Sequence, residues 1–334
     1  MKSKAVVASG PGQVAYREVE SPAPGPQDVV VRVHRSWISN GTEGSYVRGE
    51  RIGGDTPWRP GDPLPFPHIP GYQKAGTVAQ VGEKVTKFEV GDLVFASVCR
   101  VEGMFFPYAG HISPGVCHES QVWKLPAGAD PEAFSGLVLT QVGYNVGTRP
   151  DIRPGDAVVV MGDGMVGHWS AQTLQHRGAR VLLLGRHDDR LARFDLNEGD
   201  ARVNTQNVDA VEAVTQWAPG GIQAIAHSAG SIESLTRLLP LLKRFGQIVS
   251  AGYLGTDAMI DIQSLRDREL SLHAVAGWSS ERMAATLDLV AGGVLRTRHL
   301  ITHRFPAEQA AEAFQLILEK RPGVLGVVLE WDGR

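Results

Sequence analysis

The chain has 334 residues, 43% of them hydrophobic and 21% charged, a composition that suits a folded globular protein with room for two domains. A formal net charge of −3 excludes a bulk electrostatic footprint for nucleic acid or an anionic membrane surface. Two cysteines, Cys99 and Cys117, are too few for a disulfide framework, and Met1-Lys2-Ser3-Lys4 runs straight into a strand-like segment, so the expectation is a cytoplasmic protein with no membrane span.

Residues 4–8, 14–18, 28–35 and 76–81 are short, β-branched and bounded by Gly or Pro, and are predicted strands. Residues 22–26 form a Pro-rich connector, and residues 49–70 a Pro/Gly-rich loop too long to be an idle connection. From residue 131 the pattern changes: residues 131–147 read as one buried helix with Pro131 near its start. Strands at 157–161, 180–184, 224–227 and 246–251 then alternate with helices at 166–177, 210–217 and 231–242, the pattern of a doubly wound parallel sheet. Amphipathic helices at 280–291 and 307–320 precede a closing strand at 326–331 that returns to the first domain.

Gly162-Asp163-Gly164-Met165-Val166-Gly167 lies between the first of these strands and its helix. In that context a GxGxxG run is a dinucleotide-binding turn. Gly162 permits the tight turn, Gly164 admits the pyrophosphate to the backbone, and Gly167 lets helix and strand close up. The N–H groups at Met165 and Val166 then open the helix toward the phosphates. The second strand ends Leu184-Gly185-Arg186-His187-Asp188-Asp189-Arg190. An NAD site usually ends this strand in an acid that holds the ribose 2′-hydroxyl. Gly185 at that place, with Arg186 beside it and His187 and Arg190 to assist, suits a 2′-phosphate, so NADP(H) is expected ahead of NAD(H). Ser228-Ala229-Gly230 and Ser250-Ala251-Gly252 end two further strands, where backbone groups are placed to hold the nicotinamide end.

The order of parts resembles the medium-chain dehydrogenase/reductase superfamily, with its alcohol dehydrogenases. Gly71-Tyr72-Gln73-Lys74-Ala75-Gly76-Thr77-Val78 resembles the family's G-H-E-x-x-G-x-V, and Val90-Gly91-Asp92-Leu93-Val94 its V-G-D-R-V. The resemblance implies an α/β fold: a GroES-like, β-rich catalytic domain over residues 1–130, a Rossmann domain over 131–278, and a return to the catalytic domain over 279–334. It also implies a homodimer or homotetramer acting on a small molecule. Asn40-Gly41-Thr42-Glu43 stands where the family carries its zinc cysteine, and Tyr72 and Gln73 replace the zinc histidine and its glutamate neighbour. No Cys or Glu lies at 137–144, where a third ligand would come from. His111, Cys117, His118 and Glu119 have no recognised ligand spacing. The expectation is therefore no zinc, as in the branch with bacteriochlorophyllide-type dehydrogenases, which the 38–43 stretch and the chain's end also resemble.

Without a Lewis acid, hydrogen bonds must polarise the carbonyl. Tyr72 is the first candidate proton donor, Thr42 a hydroxyl relay, and Glu43 an acid/base or a group that orients Asn40. Asn40, Tyr46, Trp58, Phe105 and Trp278 are the candidate substrate contacts, within a set of aromatics that includes Trp37, Phe106 and Tyr108 and suggests a ring-containing substrate. Reduction of a C=C bond, or nucleotide binding without catalysis, are the alternatives.

Overall fold

The computed structural model describes residues 1–229, 231–253 and 258–331. The chain forms two compact units: Met1–Val138 with Thr297–Arg334, and Leu139–Arg296. The sequence divides the chain after residues 130 and 278. The units divide after Val138 and Arg296, so the helix Ser280–Ala291 belongs to the second unit.

The first unit is built around the strand Asp28–Ile38, whose apolar run is buried along most of its length. It pairs antiparallel with Lys74–Val81, Gly115–His118 and the late strand Gly326–Glu330. Val29, Val31 and Val33 face one core, and Ile38 joins a second with Phe314 and Ile317 of the helix Ala310–Leu318. Trp37, fully buried, decides a local break. A Cβ on Gly136 would stand 2.7 Å from its ring, so only glycine fits there. The single helix expected over 131–147 is accordingly two, Pro131–Phe134 and Leu137–Thr148, with the chain turning at Ser135-Gly136 against the indole. The two cysteines, too few for a disulfide framework, are bonded to each other. The antiparallel register that sets Val116 opposite Arg100 brings Cys99 and Cys117 face to face.

In the second unit six strands lie parallel, in the spatial order Ala201–Asn204, Arg180–Gly185, Ala157–Met161, Ile222–His227, Leu242–Ser250, Ser271–Ala274. The central strand, Ala-Val-Val-Val-Met, is buried at every position because helices cover both faces. The order reverses between the strands that start at Arg180 and Ile222, and ligands bind such sheets at the carboxyl ends beside that switch. The helix expected over 231–242 stops at Leu238. Pro240 has no N–H to continue it, and a 3₁₀ turn over Leu239–Leu241 delivers Leu242 into the next strand. Among the described residues no helix is long and apolar enough to cross a membrane.

Candidate functional site

The strand Ala157–Met161 delivers the chain into the glycine-rich turn. Gly162 has φ +120°, a backbone state that only glycine adopts readily, and a Cβ on it would press the Ser228 hydroxyl at 2.8 Å. A Cβ on Gly167 would fall 1.9 Å from the Gly162 carbonyl oxygen, so helix and turn touch there through backbone alone. Gly164 is the opposite case: no atom lies within 4 Å of where its Cβ would stand, leaving the approach to the helix Met165–His176 open. Ser228 donates both its N–H (3.0 Å) and its hydroxyl (2.9 Å) to the Met161 carbonyl, and the Ala251 N–H donates to the His227 carbonyl at 2.9 Å. Gly252 packs against Ala229, where a Cβ would meet the carbonyl oxygen at 2.5 Å. The strand ends are thus locked around the turn, and the cradle fits a dinucleotide pyrophosphate. Gly230 lies outside the described residues.

The end of the strand Arg180–Gly185 holds a residue that sequence reasoning passed over. Asp163, the residue between the first two glycines, reaches across to it. Its Oδ2 accepts from the Arg186 N–H (2.7 Å), the His187 N–H (2.8 Å) and the His187 ring (2.9 Å), and Arg190 stands 3.6 Å from its Oδ1. Burial pushes this carboxyl up, but the Arg186 N–H, the His187 ring and its charge, and the His187 N–H outweigh it and leave the carboxyl below its usual range. His187 and Arg190 are therefore engaged by Asp163. Arg186 is exposed, and its side chain has no protein partner among the described residues.

The other candidates lie in the first unit. The helix Asn40–Val47 carries Thr42 and Glu43 in its first turn. One Glu43 oxygen accepts the Ser39 N–H at 2.7 Å, and the other lies 2.8 Å from His111 Nε2. His111 Nδ1 is 2.8 Å from the Ser36 hydroxyl, which also accepts the Trp331 indole N–H at 2.8 Å. One direction of donors satisfies every group: indole to Ser36, Ser36 to Nδ1, and Nε2–H to Glu43. Gly71, at φ +93°, passes over this ring so closely that a Cβ would stand 2.8 Å from Nε2, and it places Tyr72 next in the chain.

Tyr72 lies within hydrogen-bonding reach of the Ser39 and Thr42 side chains. Burial first, and then the Glu43 charge, push its phenol up to about 12. Lys74 is fully buried and donates to the carbonyls of Ser97 and Ala109. Burial brings its ammonium down to about 7, against the pull of Glu43.

The residues at the expected metal position do not fit zinc. The Asn40 amide nitrogen donates to the Leu325 carbonyl at 2.6 Å, and its oxygen is enclosed without a protein partner. The Gln73 amide donates to the Trp37 carbonyl at 3.0 Å, and Tyr72 is a protonated phenol. Among the described residues no group of three or more His, Cys, Asp or Glu side chains is arranged to hold a metal ion. Zinc sites need several thiolate, imidazole or carboxylate ligands in tetrahedral array.

Of the expected substrate contacts, Tyr46 joins an aromatic group, with ring centres 6.1 Å from His68 and 5.7 Å from Phe106, and Phe105 packs edge-on to Phe106 at 4.9 Å. The Trp58 indole donates to the Asp62 carbonyl at 3.2 Å within its own loop. Trp278 is partly buried in the second unit.

Comparison with known proteins agrees with both halves. Residues 25–127 match the alcohol dehydrogenase GroES-like domain, and residues 166–292 the zinc-binding dehydrogenase domain. The chain belongs to the medium-chain dehydrogenase/reductase superfamily. It is 26% identical over 352 residues to the 2-desacetyl-2-hydroxyethyl bacteriochlorophyllide A dehydrogenase of Cereibacter sphaeroides, covering 99% of each chain. An alcohol dehydrogenase (rspB) from Escherichia coli CFT073, complexed with NADH, has the same fold with a TM-score of 0.84 at 21% identity, over 99% of both chains. A Sinorhizobium meliloti 1021 protein assigned as a zinc-binding dehydrogenase and bound to NADP gives 0.80 at 20% identity, over 99% of this chain and 100% of that one.

Proposed function

We propose that the chain is a zinc-independent oxidoreductase that interconverts an alcohol and a ketone or aldehyde on a small organic molecule, with NADP(H) preferred to NAD(H). The observation that carries this is Tyr72, a partly buried phenol pushed up to about 12 beside the hydroxyls of Ser39 and Thr42. It stays protonated at working pH and is a donor to an oxygen that gains negative charge. The nicotinamide cofactor, when bound, supplies or takes the hydride. In the reducing direction the phenol proton passes to the developing alkoxide, and the Thr42 and Ser39 hydroxyls hold the phenol oxygen. Both Glu43 oxygens are committed, so we assign it to fixing the helix start and His111 rather than to proton transfer.

The glycine-rich turn would hold the pyrophosphate through backbone N–H groups, and Arg186 would meet a 2′-phosphate with an uncommitted guanidinium. The aromatic group of Tyr46, His68, Phe105 and Phe106 favours a ring-containing substrate. A homodimer is part of the same reading. Ser271–Ala274 is an edge strand with Leu272 42% exposed, and Met259 (80%) and Ile262 (69%) are exposed nearby in sequence, a surface that suits a second copy. The test is turnover with NADPH and NADH against a panel of ketones, aldehydes and enones. Ketone or aldehyde reduction, faster with NADPH, is the expected result. Activity confined to enones, or none with either cofactor despite binding, overturns it.

A further inference from the structure

The carboxylate missing at Gly185 has a substitute. A Cβ on Gly185 would fall 2.5 Å from both the Cβ and Oδ2 of Asp163, so the glycine is there because the Asp163 side chain fills its space. Three hydrogen bonds from Arg186 and His187 fix the carboxylate, and Arg190 stands behind it. Asp163 is only 6% exposed, so its charge is poorly screened.

We infer that Asp163 is a specificity-determining residue for the dinucleotide. Its carboxylate opposes a 2′-phosphate while Arg186 attracts one, so the choice between NADPH and NADH is set by two residues from the ends of adjacent strands. This rests on reading residues 185–190 as the adenosine-ribose end of the cofactor site. It explains why neutralising position 185 does not by itself make the pocket basic. Asp163 takes up His187 and Arg190, and only Arg186 is left to meet a phosphate. Removing the Asp163 charge favours the dianionic 2′-phosphate and hardly affects a neutral ribose hydroxyl.

The test is the ratio of the NADH to the NADPH dissociation constant, measured by tryptophan fluorescence at fixed ionic strength, with melting temperature alongside. Asp163→Asn keeps an acceptor for the Arg186 and His187 N–H groups. Asp163→Ser is a second, smaller replacement should the first fold poorly. Each is expected to move the ratio toward NADPH by roughly fivefold or more, and Arg186→Ala to move it toward NADH. Asp163 variants that melt lower but keep the wild-type ratio mark the carboxylate as a pin alone and overturn the inference, as does a shift toward NADH. A wild type that prefers NADH defeats the proposed cofactor preference but leaves the expected shift intact. A wild type that binds neither dinucleotide overturns both.

Discussion

His111 Nε2 lies 2.8 Å from a carboxylate oxygen of Glu43, and both side chains are closed to solvent. The pair joins the helix Asn40–Val47 to the strand Asp28–Ile38 through Ser36, beneath the turn that presents Tyr72. A polar chain this deep is stable only while every member has its partner.

Replacing His111 with Ala leaves a buried carboxylate oxygen without its donor. The expected cost is about 2–4 kcal/mol, read as a lower urea midpoint with an unchanged slope. NADPH affinity, which the proposed site assigns to the second unit, is expected to stay at the wild-type value. Wild-type stability in His111→Ala would show that the pair contributes nothing.

Tyr72→Phe removes one hydroxyl and keeps the ring. Positioned acid catalysis contributes about 10²–10⁴-fold, so kcat and kcat/KM should fall together by at least about 10² while NADPH binding hardly moves. With the phenol at about 12, wild-type kcat should show no loss from its ionisation up to neutral and mildly alkaline pH. Near-normal turnover in Tyr72→Phe would send the search for the donor to Thr42, Ser39 or His68.

Lys74 gives stability a pH dependence of predictable sign. Its folded value, about 7, lies below its ordinary 10.5, so between those limits the unfolded chain holds a proton that the folded chain does not. Stability from this residue therefore rises with pH across that window and is flat below it. Urea unfolding at pH 7.5 and 9.5 should show wild type gaining about 2–3 kcal/mol relative to Lys74→Met. Parallel behaviour of the two proteins would mean that Lys74 stays charged in the fold.

Elemental analysis of the purified protein should find no stoichiometric zinc, and a strong chelator should leave turnover unchanged. Amide and phenol groups, not thiolates or imidazoles, stand at the expected metal position. About one zinc per chain, lost together with activity on chelation, would refute it.

The glycine-rich turn was legible because its spacing and its place between strand and helix are local facts. Strand Ala157–Met161 and helices Ala210–Trp217 and Ser280–Ala291 have the ends that periodicity and capping residues indicate. Contacts between distant residues were not legible. Asp163 and Gly185 are 22 positions apart, and only the parallel pairing of their strands brings one against the other. Glu43 and His111 are separated by 68 positions, and no sequence pattern announces their bond. The break at Gly136 likewise depends on Trp37, which local propensity cannot weigh.

The strand Gly326–Glu330 has a consequence for the order in which the protein is made. It pairs with Asp28–Ile38, and Gly326 packs so closely on Trp37 that a Cβ would stand 2.7 Å from the ring. The first unit thus needs residues made before and after the second, whereas Leu139–Arg296 is one uninterrupted stretch. At about 5–20 residues per second, the nascent amino-terminal part waits roughly 10–40 s for its last strand. During that interval Trp37 and one edge of its sheet are uncovered. The second unit can close before this strand is made and the first cannot, which makes the amino-terminal part of the newborn chain the one that stays open longest.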